Sequence, residues 1–155
     1  MRGTWSRLLA HTGGLFWNLS ADVGPGQPNL PDDVELVRFG YFLMKDNPKA
    51  TGGPFAVLKP VLQQVTPTGA FDNALAAAIR THQSLRGGTQ DGRVSVAKDN
   101  QFNRGQYDGK HVWMVFPLNN TMIDMAPNIY PRIDLHPQSG PAVTAVVRKI
   151  SYQGF

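Results

Sequence analysis

The sequence contains no cysteine, a single glutamate (Glu35), no apolar run near the roughly 20 residues that a membrane span needs, and no basic run longer than Arg148-Lys149. Each shortage excludes something. Without cysteine there is no disulfide framework, thiolate nucleophile, Cys-based zinc site or iron–sulfur cluster. Without a long apolar run there is no membrane span. The 15 Lys and Arg are scattered and no glycine-rich phosphate loop occurs, which argues against a nucleic-acid partner, although the formal charge of +4 suits an anionic polymer. The acids other than Glu35 are all aspartate, so the better acidic helix former is nearly absent and the better turn former is plentiful.

What is present fits one folded unit. A length of 155 residues matches one domain, and 41% apolar residues with 8 Phe, 4 Tyr and 3 Trp suffice for one core. The 16 glycines and 12 prolines exceed the roughly 12% combined of average usage. They predict many turns and argue against a helical bundle over the whole length. Residues 1–21 hold Arg2 and Arg7 before a broken apolar run that ends at Leu19-Ser20-Ala21, loosely like a signal peptide. His11, Gly13, Gly14 and Asn18 interrupt that run. The segment reads instead as an extended arm whose Trp5, Leu8, Leu9, Leu15, Phe16 and Trp17 need a surface to pack on.

The Pro- and Gly-rich connector Asp22–Pro31 marks a boundary. Beyond it Val34, Val37, Tyr41 and Met44, widened by Leu36, Phe39 and Leu43, recur at helical spacing, with Asp32 or Asp33 as cap and Lys45–Pro48 as terminator. Phe55, Leu58, Leu62 and Val65 predict a second helix, limited by Pro60 to begin near it or kink there. The stretch Phe71–Leu85 is the strongest helix, capped by Asp72, with Phe71, Leu75, Ala78, Ile79 and His82 on one face and Gly87-Gly88 as its stop. A turn at Asp91-Gly92 then opens a short helix or a closing loop. Past residue 100 the pattern changes: His111–Met125 reads as a hairpin turning at Asn119-Asn120, and Ala142–Tyr152, rich in β-branched residues, as a strand. The expected fold class is α+β: an arm over 1–21, a three-helix unit over 22–100 and a β-rich extension over 101–155.

Within the helical unit, the run Gly69–Gln83 followed by Asp91-Gly92-Arg93-Val94-Ser95, and upstream Val23-Gly24, Asn29, Pro31 and Asp33-Val34-x-x-Val37, resembles the small three-helix peptidoglycan-binding-like domain. Arg38 stands where that family usually has glutamine, and His82 where it has phenylalanine. The resemblance implies a shallow groove beside the third helix, in which Arg38, Gln83 and Asp91 supply hydrogen bonds, the arginine being suited to the carboxylates of a stem peptide. The same residues also have structural readings. Gly69 and Gly92 free the backbone at turns, Phe71 and Ile79 fill the core, Asp72 caps a helix, Gln83 satisfies a neighbouring loop, and Asp91 suits a turn.

Catalysis finds little support. The four histidines, His11, His82, His111 and His136, form no H-x-H or H-E-x-x-H pattern, and the pairs Asp108/His111 and Asp134/His136 are ordinary spacings, so no metal site or cofactor is expected. Glu35 reads as a solvated helix charge rather than a glycosidase acid. Ser84, Ser95 and Ser139 lie in no nucleophile elbow, and cysteine-type transpeptidation is excluded. The expectation is a non-catalytic module that recognises peptidoglycan or another wall polymer, at the cell envelope or on a virion. The alternative is a structural subunit of a phage particle or injection device, docking on other protein subunits through its N-terminal arm and C-terminal strands.

Overall fold

The computed structural model describes the backbone of residues 2–5, 15–97 and 113–151, and side chains within 16–97 and 113–149. Strands β1 (Arg2–Trp5) and β2 (Leu15–Asn18) lead into helices α1 (Pro31–Met44), α2 (Pro48–Thr51), α3 (Leu58–Leu62), α4 (Asn73–Leu85), α5 (Val115–Met125) and α6 (Pro141–Ser151), with 3-10 turns at Gly53–Val57 and Ile133–Leu135. The fold is mainly α. Prolines stand at the first position of α1, α2 and α6 and third in α5, where a missing N–H costs nothing. Much of the proline surplus thus starts helices instead of breaking them.

Helix α1 is the axis of the molecule. Every residue from Asp33 to Met44 except half-buried Phe42 is buried, because α3, α5 and α6 pack around it. Gly40 permits a close approach of α5: a Cβ there would lie 2.9 Å from Leu118 Cβ. Asp33, expected to cap α1, does something else. No side chain caps this helix; the buried Asp33 carboxylate accepts the N–H groups of Ser20 (3.0 Å) and Ala21 (2.8 Å), fastening the chain that leaves β2.

The arm belongs to the same core. β1 and β2 pair antiparallel, with Gly3 opposite Trp17 and Thr4 opposite Phe16. Phe16 and Trp17 are fully buried, and Phe16 meets Phe116 at 4.6 Å between ring centroids. Alternate peptides of a paired strand face away from the partner. The Asn119 side chain meets those of Trp17, accepting its N–H at 2.9 Å and donating to its carbonyl at 2.8 Å, as another strand would. Asn18 does the same for Ala97 (2.7 and 3.0 Å), Val23 and Val94 pair through their backbones, and Asp22 accepts from Val96 N–H at 2.8 Å. Residues 94–97 therefore close the unit against 18–23. The surface that Phe16 and Trp17 need is supplied by their own chain, which buries them; Leu8 and Leu9 and the side chains of Trp5 and Leu15 lie outside the described residues.

The C-terminal expectation was wrong in kind. The predicted hairpin is α5, with Asn119-Asn120 inside it, and the predicted strand is α6; His111, Val112 and Tyr152 lie outside the described residues. Helix cost from β-branched residues is at most about 0.7 kcal/mol each, or under about 3 kcal/mol for Val143, Thr144, Val146 and Val147. Full burial of Val143 and Val147 returns roughly 1.5 kcal/mol or more apiece. Glu35 then decides the matter. Far from being solvated, its carboxylate is buried and accepts the N–H groups of Ala142 (2.8 Å) and Val143 (3.1 Å), capping α6 from a neighbouring helix. Gly140 makes room, because a Cβ there would lie 2.2 Å from Glu35 Oε2. A single core runs from Phe16 to Val147 through all three predicted segments.

Candidate functional site

The resemblance-derived residues separate into two places. Arg38 is buried on α1 and serves the loop between α3 and α4: Nε donates to the Ala70 carbonyl (3.0 Å), Nη1 to the Thr66 carbonyl (3.3 Å) and hydroxyl (3.2 Å), and Nη2 to Ala70 and to the Asp72 carboxylate (2.6 Å). Asp72 meanwhile caps α4 by accepting Leu75 N–H at 2.8 Å, as predicted. Partial burial pulls its carboxyl up, but the Leu75 bond and the Arg38 guanidinium outweigh this and hold it below the usual carboxylate range.

Gln83 and Asp91 meet at the other place. Gln83, buried near the end of α4, donates Nε2 to Asp91 Oδ1 (2.8 Å) and to the Arg93 carbonyl (3.0 Å), and accepts Gly92 N–H on Oε1 (2.9 Å). Asp91 Oδ1 also accepts Arg93 N–H at 2.9 Å. One amide thus fixes three consecutive residues of the turn. Gly92 supplies the left-handed backbone, φ +71°, that the turn needs. The Arg80 side chain lies over it, its Nε 3.1 Å from where a Gly92 Cβ would stand. Arg93 Nε sits 3.7 Å from both Asp22 and Asp91. Arg80, Asp91 and Arg93 are all exposed, so a rigid turn presents two guanidinium groups beside a carboxylate.

Two further polar clusters escaped sequence reasoning. Between α1 and α4, fully buried Tyr41 places Oη 3.2 Å from His82 Nδ1, while Arg86 Nε donates to His82 Nε2 at 2.9 Å. The acceptor role of Nε2 assigns the neutral imidazole's proton to Nδ1. Burial first, and the Arg86 charge second, push the His82 pKa down to about 3, and burial raises that of Tyr41. The i, i+4 spacing of His82 and Arg86 was the available signal. Near α6, the wholly buried Asp134 carboxylate takes two bonds of 2.8 Å from Arg132 and lies 3.7 Å from Arg148. The Arg132 bonds hold its carboxyl low despite the burial. His136 packs edge-on to Phe39 at 5.0 Å, apart from His82, and no group of three metal-ligating side chains occurs among the described residues. His11 and His111 lie outside those residues. No helix among them is long and apolar enough to cross a membrane.

Compared with protein-family models, curated proteins and solved structures, the chain gives no match.

Proposed function

We propose that this chain is a non-catalytic binding module of the peptidoglycan-binding-like kind, acting on cell-wall polymer at the envelope or from a virion. The observation that carries the reading is the turn at 91–93, held by Gln83 and framed by the exposed Arg80 and Arg93. Guanidinium groups on a rigid base suit the carboxylates of a stem peptide, and Asp91 suits an amine beside them. Of the residues the resemblance singles out, Arg38 is committed to the 66–72 loop and Gln83 to the turn, so both are positioning groups here. The buried acids Asp33, Glu35 and Asp134 are likewise engaged in holding the fold. The alternative, a subunit docking through its termini, draws less support once Phe16 and Trp17 belong to the protein's own core.

Co-sedimentation with purified sacculi tests this. The folded protein should be retained at low salt and released as salt rises, and Arg80→Ala with Arg93→Ala should weaken retention by about tenfold or more. Absence of retention at low salt, or equal retention of the double variant, refutes the reading.

A further inference from the structure

We propose that Arg86 anchors a second site, for an organic carboxylate, on the face where α3 and α4 meet. Two contacts set the orientation of its guanidinium. Nε donates to His82 Nε2 at 2.9 Å, and the guanidinium carbon stands 6.0 Å from the centroid of the Phe55 ring. His82 is itself fixed, buried and edge-on to the buried Tyr41 ring at 5.7 Å. With Nε occupied, the two Nη groups remain as an end-on pair of donors, the edge that matches the two oxygens of a carboxylate.

The partners that Arg86 has are neutral. The arginines that pair with carboxylates do so elsewhere: Arg38 with Asp72, Arg93 with Asp22 and Asp91, and Arg132 and Arg148 with Asp134. The chain carries no acid between Asn47 and Phe71, the stretch that supplies α2, α3 and Phe55. A guanidinium whose Nε is committed to a neutral, buried imidazole has given up part of its hydration without gaining a counter-charge. The C-terminal end of α4, where Arg86 sits, offsets only part of that. Burial accordingly pulls the Arg86 pKa down. One cation with one planar edge suits a singly charged carboxylate better than a phosphate, and the adjacent Phe55 face suits the carbon chain that bears it. The source is either a small organic acid or the C-terminus of a peptide.

The full-length protein, titrated with sodium acetate, N-acetyl-alanyl-alanine, inorganic phosphate and sodium chloride at matched ionic strength, answers this by NMR. Acetate and the dipeptide should each move the Arg86 Nε–H and His82 ring signals saturably. A tighter dipeptide assigns a peptide terminus, and equal affinities assign a small acid. Arg86→Ala should abolish the response. Arg86→Lys, which keeps the charge but loses the fork and the His82 bond, should weaken it about tenfold. A response no larger than that to chloride, one that survives in Arg86→Ala, or saturation by phosphate at lower concentration than acetate overturns the proposal. Wall binding is a separate matter: sacculus retention can fail while acetate binds, and the reverse.

Discussion

Replacing Glu35 should release α6 from its cap. In Glu35→Ala the N–H groups of Ala142 and Val143 lose a buried acceptor held at 2.8 and 3.1 Å. Orphaned buried donors cost roughly 1–3 kcal/mol each, and the lost interaction with the helix end adds somewhat under 1 kcal/mol, so the loss should be about 3 kcal/mol. For a chain of this size that is roughly 10 °C in Tm. Gly140→Ala should cost nearly as much by another route, because its Cβ would stand 2.2 Å from Oε2 and expel the carboxylate. The two changes attack one contact and must not add. Once Glu35 is alanine, the clash is gone, and Gly140→Ala should be neutral or stabilise by about 0.5 kcal/mol through the unfolded chain. Urea unfolding of the wild type, both single variants and the double variant at pH 7 measures a coupling of about 2–3 kcal/mol. Additivity within about 0.5 kcal/mol would refute the capping account.

Acid stability should report on His82. Its pKa of about 3 in the folded protein lies below the roughly 6.5 of an unfolded chain. The unfolded state therefore binds more protons in that window, and stability falls as pH drops from about 6.5 toward about 3, by at most about 1.4 kcal/mol per unit. His82→Phe should remove that slope between pH 6.5 and 4.5; an unchanged slope sinks the assignment. Asn119→Leu should strip Trp17 of both backbone partners and cost about 3 kcal/mol, with faster hydrogen exchange at the Trp17 amide. Exchange as slow as in the wild type would show that the asparagine is not closing the strand edge.

The first and fourth helices were legible because periodicity and stop signals agreed: α1 spans Pro31–Met44 and α4 Asn73–Leu85, with Asp72 as cap and Asp91-Gly92 as turn. The two C-terminal helices carry the local signals of β structure. Asn119 looks like a turn former, yet its amide is needed inside α5 to complete β2 and to accept the Tyr130 hydroxyl at 2.8 Å. Val143, Val146 and Val147 look like a strand, yet the spacing of the buried pair, Val143 and Val147, is helical, and Pro141 at the first position announced it. Partners more than 70 residues distant in sequence decide both cases, through Trp17 and Glu35, and no local window contains them. Site prediction had the same limit. Gln83 and Asp91 lie close in sequence and are hydrogen-bonded to each other, whereas Arg38 serves a different loop, and the exposed cations Arg80, Arg86 and Arg93 became visible only with the fold.

The central claim is that residues from Phe16 to Val147, spanning the end of the arm, the helical unit and the C-terminal helices, share one core around α1. A fragment spanning residues 22–97 tests it directly. That fragment keeps α1 to α4 but exposes the faces of α1 that α5 and α6 cover, including Gly40 and Glu35. Circular dichroism and proton–nitrogen correlation spectra should show it unfolded or without fixed tertiary structure, while the full-length protein melts in one cooperative transition. A fragment with a dispersed spectrum and the full-length Tm would contradict the account.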